Sequence, residues 1–115
     1  MLLVLLAAAG NAQDSSRPSN NPKAKPYALL AGTVWTPEGH SLPGVKVFIR
    51  RADEKKTLWI VVSDSRGEIW QRVPAVTQDY VVWTEVKVGK ERQHVETTVH
   101  VDGDERVDFG LHLKG

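Results

Sequence analysis

Residues 93 to 113 read Gln93-His94-Val95-Glu96-Thr97-Thr98-Val99-His100-Val101-Asp102-Gly103-Asp104-Glu105-Arg106-Val107-Asp108-Phe109-Gly110-Leu111-His112-Leu113. Val95, Thr97, Val99 and Val101 alternate with polar residues, and Val107, Phe109, Leu111 and Leu113 do the same after a break at Asp102-Gly103-Asp104. A period of two is the mark of a strand with one face buried and the other in water. The stretch therefore predicts two β-strands. If the Asp102-Gly103 turn closes them as a hairpin, His100 and His112 become cross-strand neighbours.

Working outward, the same reading extends over the chain from residue 28. Val45, Val47 and Ile49 alternate with Lys46 and Arg50, so they are expected in the core with those two side chains in water. Seven runs rich in Val, Ile, Thr and Trp are predicted as strands: Ala28 to Thr36, Val45 to Arg51, Thr57 to Ser63, Glu68 to Val73, Tyr80 to Val88, Gln93 to Val101 and Arg106 to Leu113. Turn formers separate them, among them Pro43-Gly44, Asp64 to Gly67, Pro74 and Gly89-Lys90. No apolar period of 3.6 persists for three turns, so no helix is predicted. An all-β, seven-stranded antiparallel sandwich of two packed sheets is the expected architecture.

The N-terminal residues differ from all of this. Leu2 to Ala9 form a continuous apolar run, and Gly10 and Ala12 place small residues where a signal peptidase reads, so residues 1–12 are expected to be a signal peptide cleaved before Gln13. No Lys or Arg stands between Met1 and Leu2, which points to a start upstream. The apolar run is far short of the roughly 20 residues of a membrane span. Residues 13–26 carry Pro18, Pro22, Pro26, Asn20, Asn21 and three serines, with no aliphatic residue larger than alanine. Such a stretch cannot repay its ordering entropy and is expected to be a disordered linker. The domain is then 27–115, and the expected location is secreted or periplasmic.

With no cysteine there is neither a disulfide framework nor a thiolate metal site, nor the cysteine of a lipid anchor. Fifteen Lys plus Arg against fourteen Asp plus Glu, with a pI near 8.1, leave no basic excess for nucleic acid. Stability must come from the core alone.

Several short stretches resemble a known family. Gly32-Thr33-Val34, Pro37-Glu38-Gly39 and Leu42-Pro43-Gly44-Val45-Lys46-Val47, followed by Ser63-Asp64-Ser65-Arg66-Gly67-Glu68-Ile69 and Tyr80-Val81-Val82, resemble the carboxypeptidase regulatory-like domains. These share the transthyretin-like, or prealbumin-like, sandwich. The resemblance covers Leu30 to about Val88. It departs at Ile69, where the family has an aromatic, and at Val76 to Asp79, where it has a Pro-Gly turn. What it implies is a non-catalytic module, of the kind found beside peptidases, in outer-membrane receptors or free in secretion, with carbohydrate or protein as ligand among its relatives.

Enzymes exist on this architecture, and their requirements are not met by the sequence. A hydroxyisourate hydrolase would end in Tyr-Arg-Gly-Ser, whereas this chain ends Leu111-His112-Leu113-Lys114-Gly115. An intradiol dioxygenase needs two tyrosines and two histidines around iron; Tyr27 and Tyr80 are the only tyrosines, and Tyr27 borders the linker. His40, His94, His100 and His112 show no metal-ligand spacing. The expectation is no enzyme, no cofactor and no metal.

Four tryptophans are many for so small a domain. Parity puts Trp35 outward next to inward Val34, Phe48 outward between Val47 and Ile49, and Trp83 outward after Val82. Trp35, Phe48 and Trp83 are the candidate surface for a partner of unknown identity, protein or glycan. Trp59 and Trp70 cannot be assigned to a face, since their neighbours are apolar as well.

Overall fold

The computed structural model describes residues 26–115. The signal segment and the linker expected from the sequence lie outside the described residues, except for Pro26. Seven strands form: β1 (Tyr27–Trp35), β2 (Lys46–Arg51), β3 (Thr57–Val62), β4 (Glu68–Pro74), β5 (Gln78–Val88), β6 (Glu91–Val101) and β7 (Arg106–His112). Every boundary falls within two residues of the sequence expectation, because the Gly, Pro and Asp clusters that end the strands are local signals.

The strands form a three-stranded sheet in the order β4-β1-β7 and a four-stranded sheet in the order β3-β2-β5-β6. All pairings are antiparallel except β1 with β7, which is parallel. This is an all-β, prealbumin-like sandwich. The condition for His100 and His112 to become neighbours, a hairpin at Asp102-Gly103, is not met: the chain crosses there from one sheet to the other. β6 pairs with β5, β7 pairs with β1, and His100 consequently lies opposite Asp79 while His112 lies opposite Trp35. Alternation fixes which face a strand buries but carries no information on which neighbour it pairs with.

The core lies between the sheets. Ala28, Leu30 and Val34 of β1, Ile69 and Val73 of β4 and Leu111 of β7 meet Val47 and Ile49 of β2, Tyr80 and Val82 of β5 and Val99 and Val101 of β6. Val45, Val47, Ile49, Val99, Val101, Leu111 and Leu113 are buried as their parity predicts, while Val95, Thr97, Val107 and Phe109 are half-buried toward the rim. Gly32 stands opposite Phe109, whose ring lies across it. A Cβ on Gly32 would fall 2.3–2.7 Å from three ring atoms, so the aromatic fills the space that a side chain would need.

The Asp64 turn joins the sheets as its sequence suggests. Asp64 Oδ1 accepts the backbone N–H groups of Arg66 and Glu68 at 2.9 and 3.0 Å, which hold its carboxyl below the usual range. Gly67, at φ +75°, presses on the preceding loop, since a Cβ there would lie 2.6 Å from that of Ser41. The Gly67 carbonyl accepts the Val34 N–H at 2.9 Å. Behind the turn, buried Ser63 accepts the N–H of Val45 and donates to the carbonyl of Leu42, tying the end of β3 to the start of β2.

β3 settles the faces of Trp59 and Ile60. Its register against β2 pairs Ile49 with Trp59 and Arg50 with Thr57, which leaves Leu58 as an extra, bulged residue. The bulge lets Leu58 and Trp59 both pack on the core, with the Trp59 ring 5.9 Å from that of Tyr80. Ile60 and Val62 then face outward. Among the described residues, no helix is long and apolar enough to cross a membrane.

Candidate functional site

Phe48 sits directly opposite Trp83 on β5 and opposite Ile60 on β3, so the three side chains form a row across the outer face of the four-stranded sheet. The Phe48 and Trp83 rings are stacked, with centroids 5.4 Å apart and planes 19° from parallel. Ile60 is 59% exposed, and Val62, two residues on along the same face, is 54% exposed. Val81 fills the space beside the row and is nearly buried. The rim is polar: Lys46 on β2, Glu85 on β5, and Glu96 and Thr98 on β6. Arg50 does not reach over the row, because its Nη1 is bound to the carbonyls of Arg51, Ala52 and Glu54.

Trp35, the third residue of the expected surface, is elsewhere. It lies on the outer face of the three-stranded sheet and stacks on His112, with centroids 6.1 Å apart and planes 12° from parallel. The tertiary structure thus brings Phe48 and Trp83 together and puts the sandwich between them and Trp35. Parity in each strand predicted outward side chains, yet outward means opposite directions for the two sheets.

Two arginines lie over aromatic rings on the rest of the three-stranded sheet's outer face, where Trp70 stays 39% exposed. Arg106 lies over the Trp70 ring at 5.1 Å from its centroid and holds Asp108 at 3.0 Å, and Arg72 lies over Tyr27 at 4.6 Å. Beneath them Leu29 and Ala31 are almost fully buried although they point away from the core. Aliphatic arginine stems over apolar surface account for this, with the charged heads in water.

Two histidines lie on the outer face of β6, each between two carboxylates. His94 contacts Glu96 at 2.7 Å and Glu85 at 3.3 Å, and His100 contacts Asp79 at 2.5 Å and Asp102 at 2.7 Å. The contacts with Glu96 first and then Glu85 raise the His94 pKa above 6.5, and those with Asp79 and then Asp102 raise that of His100. In both cases the two ring nitrogens point to different carboxylates, so the groups do not converge on one point. Among the described residues, no three His, Asp or Glu side chains are placed to hold a metal ion.

The sequence reading missed Ile60 and Val62. Their signal was that Leu58 to Val62 is apolar throughout, too apolar for a strand with only one buried face. Without the bulge at Leu58 the exposed residues had no parity.

No protein-family model matches the chain, and no curated protein sequence matches it. Solved structures do. A DUF3823 family protein from Parabacteroides merdae superposes with a TM-score of 0.59 at 16% identity, over 79% of this chain and 47% of that one. The dioxygenase domain of a dioxygenase carbohydrate-binding protein fusion from Streptomyces sp. SirexAA-E gives 0.57 at 12% identity, over 84% of both chains. Catechol 1,2-dioxygenase from Acinetobacter sp. ADP1 gives 0.55 at 13% identity, over 85% of this chain and 55% of that one. This chain spans about half the length of the first and third, and at such identities the likeness is one of fold. Tyr80 is buried in the core against Trp59, Tyr27 lies on the outer face of the other sheet under Arg72, and His94 and His100 point into water.

Proposed function

We propose that this chain is an exported, non-catalytic module of the carboxypeptidase regulatory-like kind that binds a protein partner at the cell envelope through the outer face of its four-stranded sheet. The observation that carries this reading is the row Ile60, Phe48, Trp83, a half-buried aromatic pair with exposed aliphatic neighbours and a polar rim. Interface anchors have this composition, with large apolar side chains at the centre and charges at the margin. The shifted titratable groups all have other work: Asp64 caps a turn, Tyr80 is raised by burial in the core, and the two histidines pair with surface carboxylates.

A glycan is the second reading, because tryptophan and phenylalanine faces stack on sugar rings. Here the two rings use one face each on one another, and aliphatic Ile60 and Val62 offer a sugar no stacking plane. These features favour a protein partner.

Photo-crosslinking decides between the readings. A benzophenone group placed at Ile60 in cells should capture one discrete envelope protein other than a second copy of this chain, capture should be lost with Phe48→Ala, and the same group at Trp35 should not capture that protein. Saturable quenching of tryptophan fluorescence by soluble glycans, abolished by Trp83→Ala, would replace the protein reading with the carbohydrate one. No discrete adduct and no quenching would overturn both. Export itself is checked by fractionation, with the mature N-terminus expected at Gln13.

A further inference from the structure

We infer that β3 pairs with β3 of a second copy of this chain, making an antiparallel, two-fold symmetric dimer centred on Ile60. This goes beyond the binding reading above and does not depend on it.

Among the described residues, four strands form sheet edges: β4 and β7 in one sheet, β3 and β6 in the other. An open strand edge presents unpaired N–H and C=O groups and is normally defended by charges, proline or a bulge, and the bulge of β3 lies at its Leu58 end, away from Ile60 to Val62. β4 carries Glu68, Arg72 and Pro74, and β6 carries Glu91, Arg92 and Glu96. β7 carries Arg106 and Asp108, and the Lys114 N–H just beyond it is bound by Gln93 of β6 at 2.8 Å. β3 reads Thr57-Leu58-Trp59-Ile60-Val61-Val62, with no charge and no proline.

The backbone fixes which groups are free at this edge, and the side chains select the register. Ser63 donates its N–H to Val45 and accepts that of Gly44, so its backbone groups point toward β2. In an antiparallel ladder alternate residues share this orientation, so Val61 also bonds toward β2 and the groups of Ile60 and Val62 point to the open edge. A two-fold centred on Ile60 uses those edge groups. It sets Ile60 against Ile60 on the outer face and Trp59 against Val61 on the inner one, with the bulged Leu58 at the end of the paired stretch. It also lays the Lys55-Lys56 end of each strand against the Asp64 turn of the other. Centring on Val61 instead sets Leu58 against Asp64 and Lys56 against Arg66. Centring on Trp59 sets Val62 against Lys56 and Glu54 against Asp64. Charge and apolar matching agree on Ile60 alone.

The symmetry axis is then perpendicular to the sheet, and the outer faces of both copies lie on the same side. Trp83, Phe48 and Ile60 of each copy join into one straight row across six strands of an eight-stranded sheet. The two Phe48 side chains stand three strand spacings, or about 14 Å, apart. The edge that carries neither charge nor proline is thus the edge that continues the aromatic row.

Sedimentation of the full chain tests the dimer, and single cysteines test its register, since the native chain has none. A dimer is expected, and Ile60→Lys should raise its dissociation constant by at least about tenfold, because like charges then stand directly opposite. The side chain is exposed, so this variant keeps the fold. Under mild oxidation Ile60→Cys should crosslink to itself across about 5.5 Å. Val62→Cys should not, because its own symmetry mate lies about 14 Å away. A monomer at all concentrations overturns the proposal, including one whose β3 amides are slow in hydrogen exchange, which would mean that the chain's own N-terminal segment covers the edge. Self-crosslinking of Val62→Cys in preference to Ile60→Cys overturns the register. A dimer that captures no envelope protein would leave this inference standing and remove the binding reading.

Discussion

The two outer faces of the sandwich carry similar numbers of aromatic side chains and treat them in opposite ways. On the three-stranded sheet, Tyr27 and Trp70 each sit under an arginine, and the apolar Leu29 and Ala31 below are sealed from water. On the four-stranded sheet, Phe48 and Trp83 stack on each other, Arg50 is drawn away to the loop carbonyls, and Ile60 and Val62 stay open to solvent. An aromatic on a sheet surface is therefore not in itself a sign of binding. What matters is how much cover the protein has supplied itself: Trp70 keeps 39% of its surface in water beside its arginine, while Ile60 and Val62 on the four-stranded face keep 59% and 54% with no side chain laid over them.

The largest expected effect tests whether both faces rest on one shared interior. Gly32→Ala drives a methyl group into the Phe109 ring between the sheets and should cost about 2–3 kcal/mol, the scale of core overpacking. Chemical denaturation should show a lower midpoint with a single transition for both sheets; separate transitions would mean that the faces belong to independent units. Next is Arg106→Ala, which removes the cover of Trp70 and the contact with Asp108. About 1 kcal/mol should be lost, mainly through the stacking and the stem, since so exposed an ion pair contributes little. On the uncovered face, Ile60→Thr should change the stability of the monomer by no more than about 0.5 kcal/mol. Equal costs for Arg106→Ala and Ile60→Thr in dilute protein would erase the contrast between a covered face and an open one.

The smallest effect is in pH. Both histidines of β6 have folded-state pKa values raised above the ordinary 6.5 by their carboxylate neighbours. The stabilisation is fully present below the unfolded value and is lost as pH rises through the folded one. Imidazole NMR titrations should therefore show midpoints above 6.5 for His94 and His100. A slight fall in melting temperature through that range should disappear when both are replaced by glutamine. Midpoints at or below the ordinary value would mean that the pairs with Glu96, Glu85, Asp79 and Asp102 do not persist in solution.

Much of this was legible in the residues. Strand positions followed from alternation and turn formers, and Phe48 and Trp83 were placed outward by the parity of Val47, Ile49 and Val82 alone. Trp59 was not legible, because a bulge is a property of the pairing with β2, and the run around it is apolar on both sides. Nor was the fate of Trp70, whose cover comes from Arg106, distant in sequence and brought near by the parallel pairing of β7 with β1.

The sequence by itself determined that the chain forms short strands, where those strands end, and which side chains of the alternating strands point outward. These are consequences of local backbone geometry and the two-residue period. The tertiary structure alone decided that Trp35 lies across the sandwich from Phe48 and Trp83, that His100 and His112 never meet, and that Ile60 extends the aromatic row to an open edge. Each of these depends on which strands become neighbours, and that is set by packing two sheets around one core.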